Sequence, residues 1–303
     1  MEQEKHIQTG SPVNVREFIA STPQIRKIEV DDLLFAEFEC PMEENQSKLW
    51  WDTNIFAHIL VGSTVLKTPV REYTLNAGDS AFAKKGSVIT RDLIHEGFCE
   101  ILIFVTDEFI RGVVRKYEIS LVAAKESARP SDTVIPLNTD DVLHTYFRSL
   151  LTYFHQDSPP PGKLLRLKFE ELLLSILSGP NHLPLKEYFN RMCKSTRPGL
   201  SEIMEANFFS NLTLDEFARL CGRSLTAFKA EFSEIYKTTP GKWLLWRRLE
   251  HSRFLLETTD EAVDQICFNC GFENTSHFTR VFRNKYGVTP GRFRTQHQGV
   301  HNP

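Results

Sequence analysis

Long apolar runs are missing from this chain. None approaches the ~20 residues that a helix needs to cross a bilayer. Met1–Thr9 is polar with no apolar stretch behind it, so no secretory leader is expected either. A cytoplasmic protein with no membrane role is the expectation. Cysteine is sparse: the six (Cys40, Cys99, Cys193, Cys221, Cys267, Cys270) have no framework spacing and read as free thiols. Cys267 and Cys270 form a CxxC, but no second ligand pair stands at zinc-finger spacing, so helix packing is the simpler role. Positive charge is not in excess overall, with 36 Lys+Arg against 39 Asp+Glu, a net −3. The balance is uneven along the chain. Residues 1–194 hold 22 basic and 27 acidic residues (−5), and residues 195–303 hold 14 and 12 (+2). Within 274–297 stand Arg280, Arg283, Lys285, Arg292 and Arg294 with no acidic residue. Local positive charge of this kind is what phosphate contact requires.

What is present is one helical pattern written twice. Leu214, Phe217, Ala218, Cys221 and Gly222 return as Val263, Ile266, Cys267, Cys270 and Gly271, 49 positions on. Ser224, Phe228, Phe232, Tyr236, Thr239 and Pro240 return as Asn274, Phe278, Phe282, Tyr286, Thr289 and Pro290, 50 positions on. Each copy reads as a helix, a glycine turn, a capped second helix and a Thr-Pro start, the grammar of a helix–turn–helix. Thr213-Leu-Asp-Glu216 is a capping box opening the first copy. Ser224 and Asn274 cap the two second helices. Phe228 and Phe232, like Phe278 and Phe282, stand four apart and turn inward. That leaves Leu225, Thr226 and Lys229 on one outer face, and Thr275, Ser276, His277, Thr279, Arg280 and Arg283 on the other. Between the copies, Thr239-Pro240 starts a long helix reaching about Glu257, with Trp243, Leu244, Trp246, Leu249, Phe254 and Leu255 toward a core. At 1.5 Å per residue it spans roughly 27 Å, enough to hold two recognition helices near one DNA turn apart.

The N-terminal half, after a polar leader to Ala20, reads as short strands: Ile28–Val30, Leu33–Cys40, Ile55–Val61, Tyr73–Leu75, Ser80–Ala83 and Ile101–Val105. Asp31-Asp32, Asn76–Asp79 and Lys85-Gly86-Ser87 read as turns. Strands at this spacing predict a small barrel or sandwich. The stretch from Tyr73 to Gly86 resembles the two-turn signature of cupin-like barrels. Metal-binding cupins supply closely spaced histidines, and this region offers only His58 and His95, 37 positions apart. No metal, cofactor or catalytic residue is expected: the sequence has no metal triad, nucleophile–base pair or phosphate loop. Helical spacing follows in Phe109, Val113 and Tyr117, then in Asp141–His155 with Val142, Leu143, Tyr146, Phe147, Leu150, Leu151 and Phe154 apolar. Three prolines within 157–162 stop that helix. Leu164–Leu177 is a third helix, ended by Gly179-Pro180. Its leucine-rich surface either packs within its own domain or forms a dimer interface. Lys194–Gly199 reads as a linker, giving domains over 20–193 and 198–297.

Cys270-Gly-Phe272, Phe278-Thr-Arg-Val-Phe282, Tyr286-Gly-Val-Thr-Pro290 and Arg294 resemble the signature of the AraC/XylS family of bacterial transcription regulators. Arg248-Leu-x-x-Ser-x-x-Leu-Leu256 on the linking helix matches as well. Ser252 and Cys267 depart, standing where alanine is usual. The resemblance implies an α+β chain: an N-terminal cupin-like β-barrel with a helical hairpin, then an all-α tandem helix–turn–helix domain of seven helices. It also implies a sequence-specific activator whose two units enter successive major grooves of double-stranded DNA near a promoter, beside RNA polymerase. Leu165–Leu174 is similar to the dimerising helix of the type III secretion activator branch. That implies a homodimer through Leu165, Lys168, Phe169, Leu172 and Leu173, regulated by a small-molecule effector or a partner protein. An enzyme with a fused DNA-binding tail is the rival reading. So is a methyl-accepting repair protein, for which Cys193 has only Arg191 and Lys194 nearby.

Overall fold

The computed structural model describes residues 11–40, 46–93, 97–121, 132–156, 158–179, 181–195 and 197–298. His95 and the first ten residues of the leader lie outside them. The N-terminal half contains eleven described strands. They are β1 (Val13–Asn14), β2 (Arg26–Val30), β3 (Leu33–Cys40), β4 (Gln46–Trp51), β5 (Asn54–Val61), β6 (Ser63–Lys67), β7 (Glu72–Asn76), β8 (Ser80–Ala83), β9 (Gly86–Leu93), β10 (Phe98–Val105) and β11 (Val134–Leu137). They form a five-stranded sheet, β1-β4-β9-β6-β7, and a six-stranded sheet, β11-β8-β5-β10-β3-β2. The expected barrel does not close. β7 and β8 belong to different sheets, because the tight Asn76–Asp79 turn between them carries the chain across instead of pairing them; there Asp79 N–H donates to Asn76 O at 2.9 Å.

Side-chain alternation explains the layering. On β3, Leu33 and Phe35 face one core while Leu34 and Ala36 face another; on β10, Ile101, Ile103 and Val105 oppose Leu102 and Phe104 in the same way. The middle of the six-stranded sheet is thus buried on both faces, which is why β5, β8 and β10 are mainly apolar runs, while edge strand β2 and the far end of β3 carry charge. One face meets the five-stranded sheet. The other meets helices α2 (Asp107–Lys116), α3 (Asp141–Phe154), α4 (Gly162–Ser178) and α5 (Leu183–Lys194) through Phe109, Phe147, Phe169 and Phe189. α1 (Val15–Ser21) occupies part of the supposed leader, and it buries Ile19 beside the sheets.

The dimer residues need correction. Leu165, Phe169, Leu172 and Leu173 are 0–1% exposed, packed within the chain's own core. Lys168 is half-buried over the Tyr146 ring and pairs with Glu171 at 2.9 Å. The sheet and the neighbouring helices offer more apolar surface than a small barrel would, and they cover this stripe. Leu164 and Leu167 are the leucines that α4 leaves exposed, while α3 exposes Val142, assigned above to its apolar stripe.

Seven helices follow: α6 (Leu200–Asn207), α7 (Leu214–Leu220), α8 (Leu225–Tyr236), α9 (Pro240–Thr258), α10 (Val263–Asn269), α11 (Thr275–Tyr286) and α12 (Pro290–Gln298). One core gathers α6 to α8 with the start of α9, and a second gathers the rest of α9 with α10 to α12. Trp50 of β4 and Ile89 of β9 belong to the first of these cores, so the outer face of the five-stranded sheet is docked on the helices. Polar groups at this junction are paired, as burial demands. Ser210 Oγ donates to Ser87 Oγ at 2.6 Å, and Ser87 Oγ donates to Asn207 Oδ1 at 2.9 Å, all three residues being buried.

Candidate nucleic-acid interface

Each helix–turn–helix is built by caps and aromatic anchors. In the first, the Thr213 hydroxyl accepts from Glu216 N–H and the Glu216 carboxylate accepts from Thr213 N–H at 2.6 Å, closing the capping box. Gly222, at φ +64°, makes the corner. Ser224 Oγ then accepts from Ala227 N–H at 3.3 Å to start α8, and Phe228 and Phe232 are fully buried. The second unit repeats this with Gly271 at φ +81°, Asn274 Oδ1 accepting from His277 N–H at 2.7 Å, and buried Phe278 and Phe282.

The outer faces differ. On α8, Thr226, Lys229 and Ala230 are exposed, whereas Leu225 is half-buried and packs on the core, so it is less available than its place on the outer face suggested. Arg223, the cation at the first corner, is taken up by the fold. Its guanidinium pairs with Glu231 through two bonds of 2.6 and 2.7 Å and donates to Pro198 O at 3.0 Å. That pairing holds the Glu231 carboxyl below its usual range.

On α11, Thr275, Ser276, Thr279, Arg280 and Arg283 line one open concavity together with Asn284 and Thr289. Among the described residues, neither guanidinium there donates to another group of the chain. Asn284 and Thr289 are additions to the face read from sequence. Asn284 stands four positions past Arg280, so it joins that face only when the face is extended by one turn, and Thr289 reads from sequence as a cap alone. His277 is exposed, with its ring edge toward Phe272, at 6.1 Å. Of the other basic residues in this stretch, Lys285 pairs with Glu250 at 2.8 Å and Arg294 donates to Glu261 O. Ser224 and Asn274 serve as caps, whatever further contacts they make.

The long helix does more than separate the units. It is 19 residues long, and Arg248 near its middle donates through Nε to Phe208 O at 2.7 Å and through Nη2 to Ser210 O at 2.6 Å. Burial pushes this guanidinium down to about 10. Gly271, at the second corner, abuts the same α6–α7 turn. Asn211 Nδ2 also donates to Glu273 Oε1 at 3.2 Å. The two units are therefore joined directly as well as through α9. Trp246 and Phe254 of α9, expected in the core, are 49% and 56% exposed; the neighbouring units cover the helix's other sides.

Residues 217–296 match the family profile described as a helix-turn-helix domain, and residues 54–188 match the one described as the ExsA N-terminal regulatory domain. The chain belongs to the AraC/XylS family. This AraC-type protein is a DNA-binding transcription regulator, not an enzyme. It is 25% identical over 236 residues to the HTH-type transcriptional regulator ExsA of Pseudomonas aeruginosa, spanning 78% of this chain and 84% of that one. It is 27% identical over 261 residues to the thermoregulatory protein LcrF of Yersinia pestis, spanning 82% and 94%. Among solved structures, apo ToxT from Vibrio cholerae aligns with a TM-score of 0.44 at 15% identity, covering 88% of this chain and 98% of that one. Within the described residues of the regulator, no helix is long and apolar enough to cross a membrane.

Proposed function

We propose that this regulator activates transcription by laying α8 and α11 into successive major grooves of a promoter, with α11 carrying more of the affinity. The observation that carries this reading is the concave face of α11, where Arg280 and Arg283 stand exposed beside three short hydroxyl side chains. Guanidinium groups so placed hold phosphate or pair with guanine, and the hydroxyls donate to phosphate or base edges. Thr226 and Lys229, with Ser224 and the half-buried Leu225 beside them, supply the first unit's contacts, and Asn274, Thr275, Ser276, His277, Thr279, Arg280 and Arg283 the second's. Relatives named as activators, among them VirF of Yersinia enterocolitica, support the direction of regulation. The chain divides into a regulatory half over 20–193, extended here by β1 and α1, and a DNA-binding half over 198–297. RNA polymerase is the partner an activator implies, and a small molecule or partner protein acts through the first half.

The docked sheet offers the route for that regulation. Arg219 on α7 donates to Glu17 and to Asp52, each at 2.8 Å, with its guanidinium over Trp50. Lys67 on β6 pairs with Glu261 beside α10 at 2.8 Å, and Lys48 on β4 lies over the Phe268 ring at 4.0 Å. One sheet thus grips both DNA-reading units. Selection of bound fragments from a random duplex library, followed by mobility-shift titration at physiological salt, tests the reading. A preferred sequence with two half-sites about ten base pairs apart supports it, and equal affinity for all duplexes defeats it.

A further inference from the structure

Three metal-ligating side chains converge at one end of the six-stranded sheet, with a histidine beside one of them, on the side facing α3 and away from the DNA-reading helices. The row that begins with Leu33 and Phe35 in the core continues along β3 as Glu37 and Glu39, two apart and so on one face. The matching row on β10, Ile103 and Ile101, continues as Cys99, the register partner of Glu39. Where apolar packing stops, donors begin. Donor atoms of Glu37, Glu39 and Cys99 lie within 4.8 Å of one another. His155, the residue that ends α3, brings its Nε2 to 3.6 Å from Glu37 Oε1.

One further observation points to a ligand here, and a second shows how the carboxylates are held. His58 on β5 is fully buried; its Nδ1 is bonded to Ser80 Oγ at 2.8 Å, and its Nε2 has no partner while the residue lines the same open pocket. A buried ring nitrogen left this way is costly unless something fills the space before it. Arg26 on β2 donates to Glu37 Oε2 at 3.0 Å and to Glu39 Oε1 at 3.4 Å, fixing one oxygen of each carboxylate and leaving Glu37 Oε1 turned to His155. Ligating carboxylates are usually held by an outer partner in this manner.

We propose that Glu37, Glu39, Cys99 and His155 bind a divalent transition-metal ion of the zinc type. One sulfur, one nitrogen and carboxylate oxygens suit zinc, whereas magnesium and calcium take oxygen donors alone. Tetrahedral zinc separates its donors by roughly 3.5 Å. The Glu37–His155 pair already stands at 3.6 Å. Glu37, Glu39 and Cys99, within 4.8 Å of one another, reach that spacing by closing roughly 1 Å, while His155 has to turn toward Glu39 and Cys99. Glu39 and His155 are exposed, so their rotamers can supply that movement. The charges balance. Two carboxylates and a thiolate face the ion and the Arg26 guanidinium, and the thiol proton leaves to solvent as the metal–sulfur bond forms. Occupancy would tie the end of α3 to β3 and β10. Histidine spacing alone gave no sign of this, because the donors come from three separate elements.

The test uses the full chain, reduced and stripped with a chelator. Titration with Zn²⁺ by calorimetry should show one equivalent bound, and Co²⁺ should give a thiolate-to-cobalt charge-transfer band. Since losing even an outer-shell partner weakens metal binding by about 10- to 100-fold, Cys99→Ser should abolish the band and Glu39→Gln or His155→Ala should lower affinity at least about tenfold. Cys193→Ser should change neither. The absence of stoichiometric binding would overturn the proposal, as would a band and affinity retained in Cys99→Ser. The two exposed positions decide the matter if the cysteine variant does not fold.

Discussion

A Cβ added at Gly271 would lie 2.3 Å from the carbonyl oxygen of Phe209, so the corner of the second helix–turn–helix is pressed against the backbone of the first. The approach is possible only without a side chain, and Gly271 also holds φ +81°. Gly222, in the corresponding corner, has φ +64° but its nearest such neighbour is Pro198 Cδ at 3.9 Å. Gly271→Ala should therefore cost on the order of 3 kcal/mol, from backbone displacement as well as dihedral strain, and Gly222→Ala only about 1 kcal/mol. Urea unfolding of both variants checks the order. Equal losses would mean that the contact with Phe209 does not constrain the units.

Much of this architecture is legible in the sequence, and the parts that are not share a cause. Capping residues, paired phenylalanines and corner glycines act locally, so the helices from α7 to α11 follow from short windows of sequence. β3 and β8 are bounded correctly for the same reason, being short apolar runs between turns. β4, β6 and β9 mix polar and apolar residues because their sheet is docked on helices far along the chain, and that docking cannot be seen from within a strand. Ser87, which reads as a turn residue, is a buried strand residue bonded to Asn207. α5 begins at Leu183-Pro184, where proline suits a first turn yet reads as a breaker when the start is unknown. The outer faces of α8 and α11 are readable from period alone; that Arg223, Lys285 and Arg294 are bound up within the fold is not.

Burial in α4 separates folding from self-association. Phe169→Ala removes a fully buried ring that meets Phe56 and Phe109 edge-on, and should cost about 3–5 kcal/mol. Leu167→Glu alters a residue 55% exposed and should leave unfolding unchanged within about 0.5 kcal/mol. If α4 carries a homodimer contact, it does so through this exposed face, and sedimentation of Leu167→Glu should show monomer where the parent shows dimer. An unchanged dimer places the interface on another surface.

Arg283 and Arg280 are expected to play different parts on α11. Arg283 lies one turn from the helix end, where phosphate is the nearer target. Arg283→Ala should weaken binding to every duplex alike and reduce the salt slope by about 1. Arg280, nearer the N-terminal end of the helix that enters the groove, is expected to read a base. Arg280→Ala should cost about 1–3 kcal/mol, concentrated at one position of the site. Lys229→Ala on α8 should cost less than either. Titrations across single-base variants of the site at two salt concentrations separate these outcomes, and a uniform loss for Arg280→Ala would reassign it to phosphate.

His251 links acidity to stability at the docked sheet. It lies on α9 with its ring edge-on to Phe208 at 5.3 Å, and burial, followed by the charges of Arg247 and Lys67, pushes it from 6.5 down to about 4. A histidine with a lowered folded value favours the neutral form, so the unfolded chain binds more protons between about pH 4 and 6.5. The associated stability is fully present above pH 6.5 and is lost as pH falls toward 4, to at most about 3 kcal/mol. His251→Gln cannot take up that proton. Its stability deficit relative to the parent at pH 7.5 should shrink as the pH is lowered through this window, read as the change in unfolding midpoint between the two proteins. Lys67→Met, which removes one facing cation while sparing the ring, should shift the parent's acid limb to lower stability loss. A deficit that stays constant from neutral pH to about pH 4 would show that His251 titrates alike in the folded and unfolded chain.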